Sequence, residues 1–348
     1  MVYGLNKNQW IQVISAWLGW LLDGYTTIAY ALVALTISSV FFPPSLKVLG
    51  IVLTFAGFGV GALARSIGSL VLGNFLGDKM GRKNMLVITI LGFSFLSASK
   101  SVLPGYNKLG IFSPILLYVI LFFEGLFAGA EYGGGSTLAM ESTPPDKRGF
   151  VGSFVQSGYG TGYFIVSLVL AFISMITGKS FSTIGWRILF ATAIIPGIIA
   201  FAIRIFAKET YIFEEMKEKK EIEKIPLKSL FKYSPKQMII GLLITTGLLA
   251  INTATFSFWP SVMYNLKYNE EIIGFSVAII NLVSLFGVWF GGFLADIIGG
   301  RKKPMIIYGI IFAFLSYFLI KYGYTEKLTI FVTLFSIQAF IEAMIFST

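Results

Sequence analysis

Five ionisable side chains, Asp23, Arg65, Glu124, Glu131 and Glu342, interrupt stretches that are otherwise apolar and rich in small residues. Residues 122–135 read FFEGLFAGAEYGGG, and the two glutamates there stand seven positions apart, so both project from one face of a helix. On insertion scales a charge at the centre of a membrane helix costs ~2.5–3.5 kcal/mol, on the order of 10–15 kcal/mol for five. A lipid-facing position offers nothing to offset that, so these groups face a protein interior or a watery cavity. Carboxylates and a guanidinium in such a place can exchange ion pairs and protons. Arg65 is expected to pair with Asp23 or Glu131 in one state and release it in another, and the freed carboxylate, in an apolar pocket, takes up a proton. Depth permits this: Arg65 precedes Asp78 by thirteen residues, about 20 Å of helix, and Asp23 and Glu131 lie at similar mid-span positions. Glu124 is a further proton-coupling candidate. Tyr25, Gln156, Asn252, Trp259 and Glu342 are candidate contacts for a polar solute, because polar groups at mid-depth are costly to bury in lipid. The alternative for the Arg65 pair is that it only fixes helix packing.

The elements that must position these residues follow from composition. The chain has 348 residues, 56% hydrophobic and 13% charged, with 34 Phe, more apolar surface than a soluble domain can hide. Ten apolar runs recur, at roughly 11–34, 50–76, 85–103, 112–140, 151–176, 186–207, 237–263, 272–295, 304–321 and 328–348. Each is long enough for a hydrocarbon core of ~30 Å. The expected fold class is therefore an all-α polytopic membrane protein. The first run is too long and too Trp-rich for a signal peptide and lacks a small-residue cleavage site, so it reads as a retained span. With no cysteine and no histidine, thiolate and HExxH metal sites, haem ligation and His-activated nucleophiles are excluded. No metal, cofactor or enzymatic activity is expected. The glycine patterns GFGVG (57–61) and GYGTG (158–162) carry small-x-x-x-small pairs that serve close helix packing. GGGS at 133–136 lacks the Gly-Lys of a phosphate loop.

With the N-terminus cytoplasmic and the spans alternating, eighteen of the 27 Lys and Arg residues fall on the inner side and eight on the outer, with Arg65 inside a span. The net charge of +10 is thus an orientation signal, and nucleic acid is not an expected partner. The long hydrophilic stretch 208–236 reads as a cytoplasmic linker between two bundles, 1–207 and 237–348. A repeat supports that division: GNFLGDKMGRKN (73–84) and GGFLADIIGGRKKP (291–304) place Asp78 and Asp296 218 residues apart, and the same offset carries Glu124 onto Glu342. Six plus six spans make twelve, whereas the chain reaches Thr348 inside the tenth, so the second bundle is expected to be truncated at four helices.

These residues resemble the major facilitator superfamily. Asp78 to Lys83, containing Gly81 and Arg82, is similar to that superfamily's loop between helices 2 and 3, and Asp296 to Lys302, containing Arg301, to its copy between helices 8 and 9. Glu131-Tyr132-Gly133-Gly134, then Glu141, Pro144, Arg148, Gly149 and Gln156, resemble the metabolite:proton symporter and sugar porter branches, as do Arg65 and Gly68, Gly185-Trp186-Arg187 and Glu209-Thr210. The sequence departs from those branches at Thr26, where a second helix 1 acid is usual, at Leu121, where many relatives place Arg, and at Tyr211, where Pro is usual.

The resemblance implies two six-helix bundles and secondary active transport by alternating access, with proton-coupled symport of a small polar metabolite such as an organic acid, osmolyte or sugar. It implies a monomer, multi-pass in the plasma membrane, whose partners are its solute, protons and the lipid bilayer. Asp78, Gly81, Arg82, Lys83, Glu141, Arg148, Asp296 and Arg301 would form a cytoplasmic gate whose ion pairs exchange as the halves rock. The competing reading is a truncated membrane remnant that does not transport.

Overall fold

The computed structural model describes residues 4–76, 81–144, 147–206, 234–255, 258–298, 302–322 and 327–347; the side chains of 74–76, 82, 296, 320 and 322 lie outside the description. Regular structure among the described residues is helical. In chain order the helices are α1 (Lys7–Leu32), α2 (Ala34–Phe41), α3 (Lys47–Gly68), α4 (Arg82–Ser99), α5 (Phe112–Glu141), α6 (Arg148–Thr177), α7 (Trp186–Ala191) and α8 (Ile194–Phe206). Then come α9 (Pro235–Ala254), α10 (Trp259–Asn265), α11 (Glu270–Ile298), α12 (Lys302–Tyr322) and α13 (Leu328–Phe346).

Eight helical segments among the described residues are long and apolar enough to cross a membrane, and the bent pair α1–α2 makes a ninth. One of the eight, Arg148–Phe206, has 59 residues, about 90 Å if straight, so it holds two passages. They part after Thr177 at Gly178, whose φ of 49° suits glycine. The ten expected spans are therefore present, with boundaries displaced by a few residues.

What the sequence pattern misses is interruption. The first span bends by 62° at Val33. No Pro or Gly marks that bend, which brings Phe41 edge-on to Trp186 at 5.7 Å. The sixth span breaks between α7 and α8, with Pro196 in the first turn that follows, where a missing N–H is tolerated. The seventh breaks after Ala254, at Thr255 (φ −107°, ψ −83°), and resumes in α10 with Pro260 in its first turn.

α1 is the central element. It is buried along most of its length, polar positions such as Gln12, Ser15 and Asp23 included, and packs on α5, α6 and α8. Asn6 and Gln9 start it with a reciprocal capping box. Its approach to α6 is set by glycine: a Cβ on Gly162 would overlap the Leu21 carbonyl, and one on Gly24 the Tyr159 carbonyl. α3 and α5 meet the same way, Gly129 lying against the Arg65 backbone. The later helices join through α11, which packs on α6 and on α13.

Candidate solute cavity and its buried ion pairs

A cavity of about 270 Å³ lies where α1, α3, α5 and α6 face α9, α11 and α13. Arg65, Lys100, Glu124, Gln156, Asn252 and Asn281 supply its polar wall, and aromatic rings, Trp20, Phe58 and Tyr159 among them, supply much of the rest. Trp20 stacks obliquely on Tyr132 at 4.2 Å and on Tyr159 at 5.2 Å.

Among the described residues, three ion pairs with buried carboxylates lie at the cavity wall or behind it. Arg65 on α3 grips Asp23 on α1 with two parallel hydrogen bonds of 2.5 and 2.7 Å, and Thr27, one turn on, adds a third donor at 3.2 Å. Asp23 is sealed at 2% side-chain exposure, whereas Arg65 keeps 34% and faces the cavity. The fork-on-carboxylate geometry is the strong form of this interaction. Lys100, just past α4, reaches Glu124 on α5 at 2.8 and 3.0 Å, its ammonium 4.8 Å from the Phe190 ring centre. Both residues of this pair line the cavity. Arg204 on α8 donates to Glu131 at 2.5 Å and also to the Ser15 hydroxyl, the Ser15 carbonyl and the Leu86 carbonyl, and Thr89 donates to the other Glu131 oxygen at 2.7 Å. This cluster is buried and stands behind the wall.

Of the two pairings open to Arg65, the structure therefore contains the one with Asp23; Glu131 belongs to Arg204. Lys100 and Arg204 are partners of the buried carboxylates that the sequence reading counted only toward orientation, on the outer and the inner side respectively. Both fall inside apolar runs, 85–103 and 186–207, and that placement was the available signal. Removing one residue from each side leaves the inner excess of basic residues unchanged.

Among the proposed solute contacts, Gln156 and Asn252 line the cavity. Glu342 is fully buried behind Asn252. Tyr25 is buried, its hydroxyl 2.7 Å from that of Thr192, and Trp259 is buried edge-on to Phe335 at 5.5 Å, so neither lines the cavity.

Of the proposed gate residues, Asp78 and Arg301 lie outside the described residues, as do the side chains of Arg82 and Asp296 and most of the linker. Gly81 caps α4 at φ 87°, and Glu141 ends α5. Lys83 donates to the Ile205 carbonyl near the end of α8, and Arg148 to the Met140 and Thr143 carbonyls at the end of α5. Here the two cations meet helix C-termini, where carbonyls and dipole both favour positive charge.

A sequence profile described as Major Facilitator Superfamily matches residues 27–348. The chain belongs to the major facilitator superfamily. Over 311 residues, 87% of this chain and 70% of the relative, it is 32% identical to the inner membrane metabolite transport protein YhjE of Escherichia coli (strain K12). Over 314 residues it is 32% identical to the proline/betaine transporter of the same organism, covering 87% of this chain and 62% of that protein. A solved structure of the xylose transporter XylE from E. coli, described as a partially occluded inward open conformation, superposes with a TM-score of 0.76 at 20% identity, covering 98% of this chain and 83% of that one. The superfamily's architecture of two six-helix bundles thus accounts for the fold, the chain supplying six helical passages before the linker stretch and four after it. The family and its relatives are membrane transporters, not enzymes.

Proposed function

We propose that the protein is a proton-coupled symporter of a small polar solute, working by alternating access, with Asp23–Arg65 as its coupling centre. The observation that carries this reading is that pair's asymmetric burial: a sealed carboxylate joined to a guanidinium that faces the cavity. A proton on Asp23 removes the charge that holds Arg65, and the freed guanidinium turns to the solute; loss of the proton restores the pair and completes the cycle. Such a switch links the protonation of one group to the solute affinity of another.

With Asp23 ionised the wall charges cancel, and the guanidinium that a proton on Asp23 frees suits the carboxylate of a zwitterion. Arg65 is matched by Asp23, Lys100 by Glu124 and Arg204 by Glu131, so the surroundings of the cavity are balanced. Among organic acids, osmolytes and sugars, this supports a neutral or zwitterionic molecule, consistent with a relative named for proline and betaine. Gln156 and Asn252 suit hydroxyl or carboxylate groups, and Trp20 and Tyr159 suit an alkyl or ammonium face. Residues 1–207 and 237–348 act as the two rocking bundles joined by 208–236, with the loop residues from Asp78 to Lys83, Glu141, Arg148, Asp296 and Arg301 as the inner gate. The excess of basic residues on one side supports a cytoplasmic N-terminus in the plasma membrane, and the protein works as a monomer.

The test is uptake into vesicles of phosphatidylethanolamine and phosphatidylglycerol containing the full chain, with an acidic exterior. Radiolabelled betaine, proline and xylose are the probes. Accumulation of betaine or proline above equilibrium, abolished by a protonophore, is the expected result. Solute entry that ignores the proton gradient would remove the coupling.

A further inference from the structure

Among the described residues, Glu342 on α13 differs from the other buried carboxylates in having no cation beside it. It is fully buried, and its hydrogen-bonding neighbours are the Asn252 amide, 3.4 Å from Oε1, and the Thr255 hydroxyl, 2.8 Å from Oε2. Glu124, its counterpart at the 218-residue offset, holds Lys100 at 2.8 Å. Two carboxylates at matched places in the repeat thus occupy opposite electrostatic settings.

The charged residues of the elements around Glu342 sit at helix ends: Lys236 on α9, Glu270 and Glu271 starting α11, and Lys302, Lys303 and Lys321 at the two ends of α12. Asp296, near the far end of α11, has its side chain outside the description, and Tyr308 of α12 packs with Met344 and Ile345. The Tyr163 phenol of α6, itself bonded to Asn281, lies within electrostatic reach of Glu342.

Hydrogen counting bears on its protonation. Thr255 has one hydroxyl hydrogen, yet its Oγ1 lies 2.8 Å from Glu342 Oε2 and 2.9 Å from the Ile251 carbonyl. With the carboxyl protonated, both short contacts of Thr255 are hydrogen bonds: Oε2–H donates to Thr255 and Thr255 donates to Ile251, while Oε1 accepts from Asn252. Ionised, the group would rely on one shared hydroxyl and one long amide contact, too little for a charge removed from water. Thr89 makes the same double contact with Glu131 and the Leu86 carbonyl, but there Arg204 supplies the charge and also donates to that carbonyl.

We infer that Glu342 carries a proton in this conformation and is a second proton-binding site of the chain, in its later helices, linked to the cavity through Asn252. Asn252 lines the cavity while touching the carboxyl, and Thr255 stands at the break between α9 and α10. Motion at that break or a solute on the Asn252 amide alters the carboxyl's partners. The proton then leaves to cavity water and a carboxylate remains; uptake reverses the step.

The inference is independent of Asp23, and so is its test. Infrared spectra of the full chain in phosphatidylethanolamine–phosphatidylglycerol vesicles, with glutamate carrying ¹³C at the carboxyl, report protonated glutamic acid through its carbonyl stretch. Expected at neutral pH is a label-shifted carboxylic acid band that is absent in Glu342→Gln and moved in Thr255→Val, which removes the hydroxyl acceptor. No labelled acid band in the unaltered chain, or one that persists in Glu342→Gln, overturns the inference. Should Glu342→Gln fail to fold, the labelled unaltered chain and Thr255→Val decide it: a band that ignores the Thr255 change belongs to another residue.

Discussion

Asp23 and Glu131 each meet a guanidinium, but Arg65 faces the cavity and Arg204 does not. That difference predicts different responses to mutation. Glu131→Leu strands a buried Arg204 and is expected to cost about 3–5 kcal/mol of stability, read as a lowered thermal midpoint in detergent. Adding Arg204→Met should recover most of that loss, because the cost lies in the unpaired charge; an unchanged midpoint in Glu131→Leu would show the cluster is not structural. Arg65→Lys keeps the charge but loses the two-pronged grip on Asp23, and proton-driven uptake should fall by about tenfold or more, a loss of ~1.4 kcal/mol or greater, with folding intact. Uptake equal to the unaltered chain would show that the fork does not matter. The Asp23–Arg65 pairing was legible because charges deep in apolar runs have few places to go. Lys100 and Arg204 were not, because long basic side chains near span ends usually snorkel outward. Here each instead turns inward to a carboxylate that the sequence places on α5.

At the scale of elements, the hydrophobic runs specify where helices begin and end, since a span needs about 20 apolar residues and a bilayer permits little else. Interruptions are less visible. Pro260 and Pro196 announce two of them only once the neighbouring helix is known to restart, and nothing in the sequence marks the 62° bend at Val33, which follows from the packing of α2. Close helix contact, by contrast, is written in the glycines. Gly162→Leu drives a side chain into the Leu21 carbonyl and should separate α1 from α6. Loss of folded protein on size-exclusion chromatography is the expected outcome, whereas Gly152→Leu, at a position with open space, should be tolerated. If both variants behave alike, the glycine contact does not set the spacing of α1 and α6.

Over the whole molecule, the 218-residue repeat and the motif loops pointed to paired bundles, and the superposition on the xylose transporter gives that architecture at 20% identity. What the repeat could not convey is how the halves diverged: one matched glutamate received a lysine and the other two neutral partners. Nor could it show that each cavity acid on the first side has a cation, the balance on which the proposed neutral or zwitterionic solute rests. Glu124→Gln disturbs that balance by leaving Lys100 in the wall, and should shift competition for betaine uptake toward anionic solutes; an unchanged inhibition pattern would detach the wall charge from selectivity.

The decisive measurement compares gradient-driven accumulation with solute exchange in vesicles containing either the unaltered chain or Asp23→Asn. With Asp23 as the coupling carboxylate, the variant should exchange labelled for unlabelled betaine but no longer accumulate it against a gradient when the exterior is acid. Undiminished accumulation by Asp23→Asn would contradict a coupling role for the Asp23–Arg65 pair.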